Sequence, residues 1–128
     1  MSKQHEQALL FLRKAECDEV LLDEILTSER VADDIIGFHC QQAAEKLLKS
    51  LLSELGIPFP RTHNLRLLMD LLDDAGHHLP VCLVDLDVLT PFGVLFRYED
   101  APAEIRLDRT TARRMVGDLG DHVRKLVR

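Results

Sequence analysis

The stretch Phe38-His39-Cys40-Gln41-Gln42-Ala43-Ala44-Glu45-Lys46-Leu47-Leu48-Lys49 decides the fold, because it lies inside a long helical pattern yet mixes core and polar residues. A plain core helix fills its inner positions with residues such as Leu and Ala, and it has no need of a histidine, adjacent amides and an ion pair. A second unusual stretch, Phe92-Gly93-Val94-Leu95-Phe96-Arg97-Tyr98-Glu99-Asp100, follows later in the chain. Together the two stretches indicate a polar site between two helices.

The first stretch belongs to a helix that we predict from about residue 31 to residue 55, because its apolar side chains recur at helical spacing. Gly56 follows at the position where glycine commonly ends a helix, and Pro58 and Pro60 stand just beyond it. Gln42 and Glu45 fall at the edge of the apolar stripe. The helix therefore carries polar groups beside its buried face.

Helical segments are also predicted on both sides of this helix, over residues of about 5–26, 65–75, 81–96 and 108–126. Thr62 or Asn64 can accept a hydrogen bond at the start of the third helix, and Asp108 can do so at the start of the fifth. Pro91 lies inside the fourth pattern, so that helix should be kinked or divided. Residues 101–108 are predicted to form a loop.

Length and composition favour one helical domain. The chain has 128 residues, 46% of them apolar, with a single Tyr, no Trp and few β-branched side chains. We therefore predict an all-α fold, an up-and-down antiparallel bundle of about five helices that forms one domain over residues 1–128 with its core at about 5–127. No apolar run approaches the roughly 20 residues of a membrane span, and the first residues do not resemble a signal peptide. We expect a cytoplasmic protein with no membrane contact.

The charge of the chain is uneven. The formal net charge is −6, which disfavours nonspecific binding to nucleic acid and leaves direct nucleic-acid binding open. Half of the basic residues nevertheless lie after residue 96, and Arg106, Arg109, Arg113 and Arg114 form a cluster near the start of the last helix. This cluster is either a solvated face, with Glu104 and Asp108 as its partners, or a contact for phosphate or a protein.

Cysteines and histidines give no sign of a metal site. Cys17, Cys40 and Cys82 are far apart, so we interpret them as buried small side chains rather than as disulfide or zinc ligands. His77 and His78 lie in a predicted turn without the spacing to a second pair that zinc sites show. Motifs for nucleotide or metal cofactors are missing from the sequence, and we expect no cofactor.

The polar residues of the first stretch have two interpretations. His39, Gln42 and Lys46 lie along one side of the helix, and Gln41 and Glu45 form a pair beside them. They are either a structural network, in which Glu45 pairs with Lys46 or with an arginine of another helix, or a surface for a ligand or partner. No nearby carboxylate or serine assigns His39 a catalytic role. The candidate ligand-binding residues are His39, Gln42, Glu45, Lys46, Arg97 and Tyr98.

Arg97 and Tyr98 extend this candidate site to the second stretch. Arg97 can neutralise Glu45 across the bundle, or it can bind a phosphate through two parallel hydrogen bonds. Tyr98 is the single tyrosine of the chain and combines an apolar ring with a polar hydroxyl. Lys46 and Arg97 are the natural phosphate contacts of the set.

The stretch Gln41-Gln42-Ala43-Ala44-Glu45-Lys46, with Thr62-His63-Asn64-Leu65 and the pair Arg97-Tyr98, resembles the HEPN family (higher eukaryotes and prokaryotes nucleotide-binding). The resemblance covers about residues 5–127. It implies a helical up-and-down bundle that forms a homodimer. It also implies a small nucleotidyltransferase as the partner, for which such a protein binds substrate or nucleotide, sometimes as a toxin–antitoxin pair.

Many HEPN proteins are ribonucleases whose motif is an arginine followed, after four to six residues, by a histidine. Arg97 matches the arginine, but the positions where histidine is required hold Pro102, Ala103 and Glu104. The resemblance therefore points to the non-nucleolytic branch and to a binding module rather than an enzyme. The alternatives are a divergent ribonuclease toxin that uses Arg97 with His39 or His63, and a purely structural interaction protein.

Overall fold

The protein is a bundle of helices. A computed structural model describes residues 2–93 and 106–128. We label the α-helices α1 (Lys3–Ile25), α2 (Asp33–Glu54), α3 (Leu65–Asp74) and α5 (Arg109–Val127), and we label the helical residues 90–93 α4. Two 3-10 turns, η1 (Val81–Leu83) and η2 (Leu86–Leu89), lie between α3 and α4. Within the described ranges every regular element is helical, which confirms the all-α prediction.

Local sequence sets the ends of these helices. Asn64 accepts the N–H of Leu67 at the start of α3, and Asp108 accepts the N–H of Thr111 at the start of α5. At the end of α2, Gly56 has a positive φ of 70°, and the N–H of the next residue, Ile57, donates to the carbonyl of Leu52. A side chain at residue 56 would strain this turn, so glycine ends the helix as predicted.

α1 and α2 form the antiparallel centre of the bundle. Glu54 near the end of α2 bonds His5 near the start of α1, and Ser50 donates to the carbonyl of Ala8. Asp18, in the second half of α1, meets His39 in the first half of α2. The facing sides bury alanines and leucines, each leucine contributing about 1.5–3 kcal/mol. This rigid pair fixes the positions of the polar groups on α2.

The prediction of a single helix over residues 81–96 is wrong for its first half. Residues 81–89 form η1 and η2, and the α-helical residues begin only at Thr90. Pro91 is therefore the second residue of α4, in the first turn, where a missing N–H removes no helical hydrogen bond. The proline divides the pattern rather than kinking a continuous helix. Residues 94–96 lie outside the described part of the chain.

Ion pairs join α5 to α1 beside the core. Three carboxylates along one side of α1 face three guanidinium groups, two on α5 and one on the residue that follows it; they are Glu16, Glu19 and Asp23, and Arg113, Arg124 and Arg128. The hydrogen bond from Arg128 lowers the pKa of Glu16, and the hydrogen bond from Arg113 lowers the pKa of Asp23. The charged forms of both carboxylates are therefore stabilised in the folded chain.

The basic cluster of α5 is only partly a solvated face. Arg109 donates to the carbonyls of Leu26, Ser28 and Val31 and to the carboxylate of Asp33, so it ties α5 to the connection between α1 and α2. Its partners, like those of Arg113, lie near α1 and α2 and not at Asp108. Sequence spacing could not reveal these pairs because they join residues more than 70 positions apart.

The three cysteines have different environments. Cys40 is buried against the core, and burial raises the pKa of its thiol to about 12. Cys17 and Cys82 are exposed, so the prediction that all three are buried is wrong for two of them.

Among the described helices, none combines the length and apolar character needed to cross a bilayer.

Candidate polar site along α2

A buried network surrounds Glu45. One carboxylate oxygen accepts from Gln41 Nε2 at 3.1 Å and lies 2.8 Å from His63 Nδ1, and the other accepts from Lys49 Nζ at 2.9 Å. Burial raises the pKa of Glu45, but hydrogen bonds from Lys49, His63 and Gln41 outweigh burial, and the pKa falls below its ordinary value. Glu45 is therefore a charged group held by three donors.

Gln41 links this network to the neighbouring segments. It is fully buried and also donates to the carbonyl of His63, while its own oxygen accepts from Gln42 Nε2 at 2.8 Å. Gly93 of α4 packs directly on the amide, because a Cβ there would lie 2.5 Å from Gln41 Cδ. The network thus connects α2 to His63, which precedes α3, and to Gly93 of α4.

A second polar group lies at the seam between α1 and α2. Asp18 places one carboxylate oxygen 3.2 Å from His39 Nδ1, and its other oxygen accepts from Lys46 Nζ at 2.8 Å. The side chains of His39 and Lys46 are 25% and 27% exposed, so this group meets solvent. When Nδ1 carries the proton that Asp18 accepts, His39 Nε2 keeps its lone pair.

A family model described as HEPN domain matches residues 7–126 of the chain. The chain belongs to the HEPN family. The match includes both polar groups on α2 and every described helix, apart from the first residues of α1 and the last residue of α5. It confirms the resemblance seen in the sequence. No curated protein and no solved structure matches this HEPN chain.

In the HEPN bundle the predicted site residues fall into separate groups rather than one site. His39 and Lys46 share Asp18, and Gln42 lies between them on the same side of α2, as expected. Glu45 belongs instead to the buried network. The predicted pair of Gln41 with Glu45 is confirmed. Of the two ionic partners that the structural interpretation offered, Lys46 does not bond Glu45, which pairs with Lys49 and His63 instead, because adjacent helical residues point in different directions whereas residues four apart meet. Arg97 and Tyr98 lie outside the described residues, so their predicted contacts stay predictions.

Sequence reasoning missed Asp18 and His63 as members of these groups. His63 stands between the candidate capping residues Thr62 and Asn64, which predicts no more than a residue of the cap region, although its ring and its carbonyl both contact the network. The signal for Asp18 was its place on the inner side of α1, where an acidic residue requires a buried partner. No local sequence pattern predicts the contact between His63 and Glu45, because only the turn of the chain after α2 brings the two residues together.

A pair of histidines outside this site joins α5 to the turn after α3. His77 Nε2 lies 3.0 Å from His122 Nε2, so one imidazole donates and the other accepts. Burial, followed by the charge of His78, lowers the pKa of His77. Burial, followed by the charges of His77 and Lys125, lowers the pKa of His122. In the part of the chain that the structure describes, no group of three His, Cys, Asp or Glu side chains is placed to hold a metal ion.

We expect acid to weaken this contact. Both folded-state pKa values are lowered, so the pair contributes stability above the ordinary histidine value of 6.5 and loses it as pH falls through the lowered values. The free energy of unfolding, measured by urea denaturation between about pH 5 and about pH 8, should therefore depend less on pH in His122→Gln than in the wild type. A profile of unchanged slope in His122→Gln would contradict this expectation.

A cavity of about 610 Å³ lies between η2 and the start of α5. Arg106 and Arg114, the exposed members of the basic cluster, line it together with Asp85 and Asp87. Asp108 lines the cavity as well, so three carboxylates repel any anion that approaches the two arginines. The seam between α1 and α2 is therefore the better candidate for a ligand site in this HEPN domain.

Proposed function

We propose that this HEPN domain is a binding module that holds a nucleotide, or the substrate of a small nucleotidyltransferase partner, at the seam between α1 and α2. The arrangement of Asp18, His39 and Lys46 carries the proposal. Asp18 uses one of the three Lys46 donors and fixes the ring of His39, and Gln42 lies on the same side of α2, where its Nε2 donates to the oxygen of Gln41. The seam therefore presents held donors and acceptors at a surface that solvent reaches.

The sequence after Arg97 supports binding rather than cleavage. Pro102, Ala103 and Glu104 occupy the positions where ribonucleases of the family have their histidine, so the usual imidazole is missing. In the proposal the domain acts as a homodimer beside its nucleotidyltransferase, in the manner of a toxin–antitoxin pair. These partners follow from the family and are part of the proposal.

Calorimetric titration with ATP, GTP, CTP and UTP tests the ligand. We expect heat with at least one nucleotide and a loss of affinity of roughly ten-fold or more in Lys46→Met, because a hydrogen bond to a charged group contributes about 1.5–3 kcal/mol. Lys3→Met is the matched control, since Lys3 is an exposed lysine at the far end of α1. Thermal melts of both variants establish that they fold. No heat with any nucleotide, with the nucleotidyltransferase present as well, would overturn the ligand-binding proposal.

One observation favours the ribonuclease alternative. His39 is oriented by a carboxylate, and this arrangement suits an imidazole that accepts a proton at Nε2. Purified protein with RNA, and no added metal, separates the two functions. Cleavage by the wild type that disappears in both Arg97→Ala and His39→Ala would replace the binding module with a nuclease. A protein that neither binds nucleotide nor cleaves RNA would instead be a structural interaction protein.

A further inference from the structure

The outer face of α1 carries an exposed apolar stripe. Leu10, Val20 and Leu21 are 46%, 64% and 38% exposed, and the exposed Cys17 lies among them. These residues are spaced so that they recur on one side of the helix, in the pattern of a seam between two paired helices. Solvated helix faces are usually built from charged and polar residues, so this stripe requires an explanation.

The other sides of α1 already have partners. Ala8, Leu12 and Leu22 pack in the core against α2, and Glu16 and Glu19 are bonded to arginines of α5. The stripe is the remaining side of the helix, and it points away from both neighbours.

Charge indicates the occupant of this face. Arg13 lies within the stripe, between Leu10 and Cys17, and Glu24 lies one turn beyond Val20; both are exposed. If two copies of α1 pair in antiparallel fashion, Arg13 of each copy meets Glu24 of the other, while Cys17 packs against Val20 in the middle. A parallel pair would instead bring Arg13 against Arg13. The part of the stripe from Arg13 to Glu24 is thus complementary to itself under a two-fold axis, as the interface of a symmetric dimer must be.

We propose that the outer face of α1 is the interface between two copies of this chain, paired in antiparallel fashion about a two-fold axis between Cys17 and Val20. This inference rests on the homodimer of the proposed function and assigns its surface.

The size of the stripe sets the strength of the dimer. One helix face with four apolar side chains covers less area than a typical obligate interface. The measured mass should therefore rise with protein concentration rather than stay at that of a dimer throughout.

Sedimentation velocity over a range of concentrations tests the interface. We expect the wild type to dimerise and Val20→Glu to weaken the dimer about ten-fold or more, because the carboxylate would be buried without a partner. Val88→Glu is the matched control, since Val88 is similarly exposed, at 59%, but lies on η2. It should dimerise as the wild type does.

A charge exchange tests the orientation. Arg13→Glu alone and Glu24→Arg alone should each weaken the dimer, and the double variant should restore it, because the opposite charges then face each other again. A dimer that is insensitive to Val20→Glu and to both charge reversals would overturn this interface and leave the homodimer standing. A wild type that stays monomeric at every concentration would overturn both. The calorimetric titration reports on nucleotide binding independently of either result.

Discussion

Replacing Glu45 with alanine should lower the free energy of unfolding by about 3–5 kcal/mol, as is typical when one partner of a buried ion pair is removed. The carboxylate accepts from Gln41, Lys49 and His63. Its removal would leave the fully buried amide of Gln41 and the largely buried ammonium group of Lys49 without this acceptor. Urea denaturation, followed by far-UV circular dichroism, measures the loss.

A second variant, Glu45→Gln, distinguishes the stability lost with the volume of the side chain from the stability lost with its charge. The amide fills the same space and keeps one acceptor, so we expect a smaller loss than in Glu45→Ala. Because the folded-state pKa of Glu45 is lowered, the contribution of the charge is complete above its ordinary value of 4.5 and disappears as pH falls through the lowered value. The two proteins should therefore become more similar in strong acid. A loss below about 1 kcal/mol in Glu45→Ala would contradict the assignment of this network to the structural core.

Gly37→Val should destabilise the fold by about 1–3 kcal/mol, the usual cost of excess volume in a packed core. Gly37 is a buried residue of α2, and a Cβ there would overlap the ring of Phe92. Because Gly37 has no side chain, the Phe92 ring packs directly on α2 and holds α4 against it. The expected result is a lower urea midpoint with an unchanged dependence of the free energy on urea concentration.

Two further variants isolate this contact. Gly117→Ala is the control: it replaces a glycine of α5 whose added methyl would meet only the end of the Arg113 side chain, so it should cost less stability than Gly37→Val. Phe92→Leu should cost stability alone but reduce the effect of Gly37→Val, because the smaller side chain leaves space for the new methyl groups. Strictly additive losses in the double variant would show that the two residues do not compete for the same volume.

The sequence was sufficient where structure follows from local chemistry. Helical spacing located α1, α2, α3 and α5, and Gly56, Asn64 and Asp108 marked their ends. The HEPN resemblance then placed the whole chain in a known family, as the family model confirms. Residues 81–89 were less predictable, because short 3-10 turns and a continuous helix produce similar apolar spacing.

The partners of the polar residues could not be predicted, because they are set by distance in the fold. Spacing along α2 correctly grouped His39 with Lys46, but it could not name Asp18, which α1 supplies. Spacing also paired Gln41 with Glu45 correctly, but it could not name His63, which reaches Glu45 from the turn before α3. Hydrogen-bond satisfaction requires that buried charges have partners, but only the fold decides which ones.

The ionic seam between α1 and α5 has a consequence for synthesis on the ribosome. α1 and α2 emerge before α5 and can pack together as a hairpin, while Glu16, Glu19 and Asp23 still face water. Their arginine partners are translated 90 or more residues later. A row of hydrated carboxylates does not promote aggregation, whereas a row of exposed leucines in the same place would. Along this row of carboxylates the nascent chain therefore stays hydrated until α5 has been translated.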